Sequence, residues 1–298
     1  MKELCPLSYL FAAALIGCGT STGDLSIPEG PDGEEASFQF EMDLPNAGDE
    51  AFFCFGFDAG ELAGRSARGF RWDPPEASGI QLHHAILFAI HGPQPDGPTI
   101  CNENPQNSLG LHVWAPGGDQ FELPPDVGLR IPRGTQRLAV QTHILRLAAG
   151  PPAIGRVTLL LHEREPEHTA AQFQARPVVP TIPPFETKSS TSLCRVEKPI
   201  RAIAAWPHMH LLGKEFRGEV IKPNGDRSVA VLMKPWNFHD QRILPLDLPL
   251  FPGDDLETTC VWENPTAEPV VSGHLTSNEM CVLTYFAWPA EAARCKPH

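Results

Sequence analysis

Ile200-Arg201-Ala202-Ile203-Ala204-Ala205-Trp206-Pro207-His208-Met209-His210-Leu211-Leu212-Gly213-Lys214 is the stretch on which the reading of this chain turns. Its first seven residues are apolar at almost every position, and no helix cap or acidic first turn precedes them, so the run predicts a strand. Side chains on a strand alternate faces, which turns His208 and His210 the same way. Two imidazoles on one face are half of a first-row metal site, and imidazole suits zinc, copper, iron or nickel. Neighbouring histidines on a strand are more often surface or hydrogen-bonded core residues than ligands. The pair therefore takes its meaning from the rest of the chain.

That chain has 298 residues, long for a single core and comfortable for two domains. Its 32 Pro and 25 Gly punctuate short apolar runs, and no long amphipathic helical pattern appears, which predicts β-sandwich architecture. The formal charge of −13 argues against nucleic acid, whose phosphates need a basic face, and disfavours binding to anionic lipid headgroups. Residues 1–17 read as a signal peptide: Lys2 gives a positive end, and Pro6 to Ile16 form an apolar run too short to span a bilayer. Leu15-Ile16-Gly17-Cys18 resembles a bacterial lipobox, which implies cleavage before Cys18 and lipidation of that cysteine; ordinary cleavage near Ala12-Ala13-Ala14 is the other reading. The lipobox implies a bacterial cell envelope location, periplasmic or outer-membrane face, with membrane contact through the N-terminal lipid alone. If Cys18 carries lipid, Cys54, Cys101, Cys194, Cys260, Cys281 and Cys295 remain, and an exported chain should pair them as three disulfides. Six cysteines allow 15 connectivities.

Residues 18–35 are small, polar and Gly/Pro-punctuated, a flexible tether. From Ala36 the pattern predicts short strands, among them Ser37 to Leu44, Ala51 to Phe57 and Gln81 to Ile90. The last carries His83-His84. Adjacent residues on a regular strand face opposite sides, so both imidazoles reach one metal only if the strand bulges or twists there; a regular strand would leave one in the core and one in water. Arg137 to Ile144 predicts a strand carrying His143, and Ala153 to Leu161 another. The proline run Arg176 to Pro184 marks the boundary between domains at 36–176 and 177–298. Pro223-Asn224-Gly225-Asp226 reads as a turn, and Val282 to Trp288 as a late strand.

These residues, in this order, resemble the copper type II, ascorbate-dependent monooxygenases. His83-His84 is similar to that family's His-His pair, Trp114-Ala115 and Val127-Gly128 to its connecting region, and Gln141-x-His143 to its Gln-x-His. Thr181-Ile182-Pro183-Pro184 is similar to the entry into its second domain. His208-x-His210-x-x-Gly213-Lys214 is similar to its His-x-His segment, and Thr276-Ser277-x-Glu279-Met280-Cys281 to its methionine segment. The resemblance implies two consecutive antiparallel, jelly-roll-like β-sandwich domains facing across a solvent-filled cleft, each with one copper. It implies a first ligand set of His83, His84 and His143 and a second of His208, His210 and Met280. A thioether favours Cu(I), while imidazole serves either oxidation state, so this donor mix agrees with copper. The disulfides implied are Cys54–Cys101, Cys194–Cys295 and Cys260–Cys281.

The implied reaction is hydroxylation of a C–H bond with dioxygen and an external electron donor, ascorbate or another. Dioxygen activation falls to His208, His210 and Met280, and storage of the second electron to His83, His84 and His143. Where the peptide-hydroxylating member of the family anchors a substrate carboxylate, this chain has Trp206, Val282 and Thr284. A carboxylate needs a charged or well-hydrogen-bonded partner. These substrate-pocket candidates supply none, which points to a small, uncharged substrate. His91, His112, His162, His168, His239, His274 and His298 read as structural or surface residues. Two other function classes stand beside the enzyme: a copper-buffering envelope lipoprotein without catalysis, and a silent surface protein that keeps only the fold. Complete ligand sets argue against the latter.

Overall fold

The computed structural model of the chain describes residues 29–30, 33–75, 79–118 and 120–297. The signal peptide and Cys18 lie outside the described residues. The fold is all-β, and the one helical element among the described residues is a 3-10 turn, Gly60–Leu62. The strands at Ile80–Ile90, Arg137–Arg146, Ala153–Leu161, Ile200–Met209 and Cys281–Trp288 fall where the apolar runs place them. Gly33–Met42 begins three residues ahead of the expected Ala36, and Glu34 and Glu35 are ion-paired with Arg65 and Arg71. The tether is therefore shorter than its composition implies.

In the first half, Gly33–Met42, Ala153–Leu161, Ser66–Asp73 and Val127–Arg130 lie side by side. They face a second sheet ordered Thr99–Ile100, Glu50–Asp58, Arg137–Arg146, Ile80–Ile90, Ser108–Trp114. Alternating inward residues of both sheets meet, as where Phe38 packs on Phe57 at 5.0 Å and Phe40 on Phe55 at 5.4 Å between ring centroids. In the second half, His168–Ala175, Cys281–Trp288, Ile200–Met209 and Leu244–Leu250 form one layer. The other contains Arg227–Met233, Gly213–Ile221, Asp255–Glu263, Thr187–Val196 and Cys295–Pro297.

The two halves, each with its own core cluster, are joined through a shared strand. His168–Ala175 pairs in parallel with Val127–Arg130 of the first half and antiparallel with Cys281–Trp288 of the second, so one sheet runs through both. Ile203, Ala204, Trp206 and Phe286, all from the second half, lie in the core of the first. Three disulfides join Cys54 to Cys101, Cys194 to Cys295 and Cys260 to Cys281, the same three pairs that the resemblance implies.

Candidate metal centre

The first histidine set depends on an irregularity in one strand. Along the pairing of Arg137–Arg146 with Ile80–Ile90, His143 stands opposite His84, but Ile144 stands opposite Leu82. His83 is skipped: it is the extra residue of a β-bulge, which re-aims a side chain that a regular strand would send to the other face. His83 and His84 thereby both turn toward His143. The Nδ1 atoms of His83 and His84 are 3.2 Å apart, and those of His143 and His83 are 3.0 Å apart. All three imidazoles are buried and could together hold one ion. Burial, reinforced by the neighbouring imidazoles, drives the pKa of His83 and of His84 far down, and burial lowers that of His143, partly offset by Glu50. Neutral rings leave lone pairs free for a metal. His143 donates its Nε2–H to Glu50 at 2.6 Å, which fixes the tautomer with an open Nδ1. Gln141, two residues before His143 on the same strand, donates to the carbonyls of Cys101 and Glu103 and belongs to the frame.

The second set lies on the strand Ile200–Met209 and its end. His208 and His210 face the same side, as the alternation requires, with ring centroids 5.2 Å apart. His208 donates its Nδ1–H to Gln241 Oε1 at 2.7 Å, and His210 donates its Nδ1–H to the Asn278 carbonyl at 2.9 Å. Each is thus held in the tautomer with an open Nε2, and His210 Nε2 is buried with no partner. Burial, with the adjacent His210, pushes His208 down to about 3; burial likewise pushes His210 down to about 4. Cys281 stands opposite Met209 across the neighbouring strand, so Met280 comes in beside His210. The buried Glu279 carboxylate pins this corner, accepting the backbone N–H of His210 and Leu212 and the Trp262 indole N–H. Burial raises Glu279 to about 7 against these donors.

The two sets meet directly. His83 and His210 ring centroids are 5.0 Å apart and edge-to-face, and His84 and His208 are 6.1 Å apart. The expected solvent-filled cleft between the sets is therefore replaced by ring contact. The cause is the shared sheet and core, together with the second-half loop that stacks Phe238 on His83 at 4.8 Å and docks Gln241 N–H on the Pro116 carbonyl at 2.7 Å. A cavity of about 430 Å³ borders both sets, with His84 and Gln141 on one side and His208 and Met280 on the other. Trp206, stacked on His208 at 4.8 Å, and Val282 line it. Thr284 does not; it accepts a hydrogen bond from Gln174. One lining residue departs from the sequence reading: Arg176, a cation where none was expected; His274, read as structural or surface, is exposed and also borders the cavity. Ala175 stands opposite Leu283, which brings Arg176 in beside Val282; the signal was its place at the end of a strand, not in any motif. Glu50, Gln241 and Phe238 were also missed.

Residues 174–298 match the copper type II ascorbate-dependent monooxygenase C-terminal domain. Over 243 residues, 72% of the chain, it is 26% identical to DBH-like monooxygenase protein 2 of Mus musculus. The second half of the chain is thus similar to the C-terminal domain of that family. The chain spans 39% of the length of that mouse relative. Among solved structures, one of PNGF-II covers 84% of this chain and 59% of its own at a TM-score of 0.28 and 9% identity. One of infectious bursal disease virus Gt strain covers 89% of this chain and 73% of its own at a TM-score of 0.20 and 9% identity. Likenesses that slight carry no argument.

Copper, the metal named for the matched domain, fits the residues present. Three imidazole Nδ1 atoms converge in the first set; in the second, His210 has a buried, unpartnered Nε2, and the strand register brings Met280, a soft thioether residue, in next to His210. Neither set can draw a thiolate ligand from the described cysteines, because all six of them are in disulfides.

Proposed function

We propose that the chain is a copper monooxygenase that hydroxylates a C–H bond of a small substrate. One atom of dioxygen enters the product; the other leaves as water with two protons and two electrons from an external reductant such as ascorbate. In this reading His83, His84 and His143 hold one copper, and His208, His210 and Met280 hold the other. Bound copper supplies the one-electron redox chemistry that dioxygen activation needs. The observation that carries the reading is the meeting of two buried imidazole sets on one cavity.

The chain's own residues then have separable tasks. Gln241 and Asn278 fix the tautomers of His208 and His210, as Glu50 fixes that of His143. Trp206 and Val282 are buried and give the cavity an apolar wall beside His208, suited to an uncharged C–H group at the reacting end. Glycine-extended peptides lack a carboxylate anchor at these positions and should turn over poorly, whereas Arg176 on the exposed side can tolerate a polar tail. The reading includes a lipid anchor at Cys18 in a bacterial envelope, supported by Leu15-Ile16-Gly17-Cys18.

The test is copper content together with reductant-dependent oxygen uptake. The full chain should bind two coppers, and His143→Ala should lose the first while keeping the second. Oxygen uptake with ascorbate and a metabolite extract should be matched by a product one oxygen heavier. Copper binding without any product would favour the buffering lipoprotein.

A further inference from the structure

Glu50 opens the strand Glu50–Asp58, in register two residues from Phe52, which stands opposite His143 and stacks on it at 4.0 Å. Its Oε1 accepts the His143 Nε2–H at 2.6 Å. The same oxygen accepts the Thr276 backbone N–H at 2.8 Å and the Thr276 Oγ1–H at 2.7 Å. Thr276 begins the segment that ends in Met280. Further along that segment, the Asn278 carbonyl accepts the His210 Nδ1–H and the Glu279 carboxylate accepts the His210 and Leu212 N–H groups. The segment is thus fastened to the second set through Asn278 and Glu279, and to the first through one carboxylate oxygen. Ser277 and His274 beside it are exposed, so little packing competes with this link.

The geometry points to Glu50 as a positioning residue that couples the two sets: it orients His143 in one and, through Thr276, holds the Met280 segment in the other. The coupling to copper rests on the proposed ligand sets; the link itself does not. Hydrogen bonds to a charged carboxylate are the stronger kind, and outer partners of ligating histidines typically change metal affinity 10–100-fold when removed.

The experiment uses the full chain with Glu50→Gln, Thr276→Val and the double substitution, each metal-free and copper-loaded. In the metal-free protein, Glu50→Gln should speed amide exchange at Thr276 by about tenfold or more and release His143 from its single Nε2–H tautomer, read by imidazole NMR. Thr276→Val removes the Oγ1–H bond but keeps the backbone one, so it should loosen the segment while leaving the His143 tautomer intact, and it stands in if Glu50→Gln fails to fold. In the loaded protein, Glu50→Gln should weaken first-set copper about tenfold or more and reduce the Met280 sulfur signal in Cu(I) X-ray absorption. Thr276→Val should reduce the sulfur signal alone, and the double variant should match Glu50→Gln, as expected for groups in one network. Unchanged Thr276 exchange with an unchanged His143 tautomer would overturn the link. A sulfur signal unaffected in both single variants would overturn the coupling. A wild-type chain that takes up no copper would sink the ligand assignment, and the metal-free arm would still decide the link.

Discussion

His208 and His210 each donate to an oxygen outside their own strand, and that decides which ring nitrogen is open. Gln241 does this for His208, and its own Nε2–H is donated to the Phe238 carbonyl, so its orientation is fixed. Gln241→Leu keeps the volume and removes the acceptor. Copper affinity at the second set is expected to fall about 10–100-fold with first-set copper unchanged, measured by competition with a chelator. His112 illustrates the opposite case, a buried histidine with a structural task. It stacks on Phe70 at 4.3 Å and accepts the Trp72 Nε1–H on its Nδ1 at 3.0 Å, and burial pushes it down to about 3. A depressed histidine favours the folded state only while neutral. Its unfolded form takes a proton below about pH 6.5, so stability falls as pH drops from there, levelling only near 3. The slope is at most about 1.4 kcal/mol per pH unit for one such group. His112→Phe should therefore flatten the acid limb of a urea-midpoint titration by up to that amount, whatever the loss of the Trp72 bond does to the neutral-pH value. An unchanged limb would mean the ring is protonated in the folded protein.

At the level of strands, the bulge and the third disulfide do the placing. The alternation rule reads His208 and His210 correctly because their strand is regular at that point. It could state only a condition for His83 and His84, since a bulge depends on how the partner strand pairs and leaves no mark in local composition. The partners Glu50, Gln241 and Thr276 were illegible for the same reason. Glu50 lies 93 residues from His143 and Gln241 33 residues from His208, joined only by the fold. Most strands, by contrast, were legible from their apolar runs. The Cys260–Cys281 bridge ties the residue next to Met280 to the strand Asp255–Glu263, across a sequence separation of 21. Replacing both cysteines by Ala should cost about 2–4 kcal/mol of stability. It should also weaken second-set copper while sparing the first; equal weakening of both would place the effect on the fold as a whole.

Over the whole molecule, two core clusters lie on either side of the boundary expected at Arg176–Pro184, but four second-half residues cross into the first. The parallel pairing of His168–Ala175 with Val127–Arg130 and the burial of Trp206 and Phe286 in the first core make the halves depend on one another. Composition located the proline run but could not reveal that the strand before it belongs to both layers. Metal-free protein should accordingly unfold in a single calorimetric transition with equal van't Hoff and calorimetric enthalpies; two resolved transitions would mean the halves are independent. This joining also sets the ring contact between His83 and His210, and with it a cavity bordered by both ligand sets. The central claim, that this cavity hydroxylates a substrate at His208, His210 and Met280, is tested most directly by isotope transfer from labelled dioxygen. Copper-loaded wild type and Met280→Ile would be given ascorbate, labelled dioxygen and a metabolite extract. The swap keeps an apolar side chain of similar volume and should cost less than about 1.5 kcal/mol, so the fold survives while the thioether is gone. Wild type should yield a product carrying one labelled oxygen atom, and Met280→Ile almost none despite retaining first-set copper. Equal labelling by the two proteins, or no labelled product from wild type, would contradict the account.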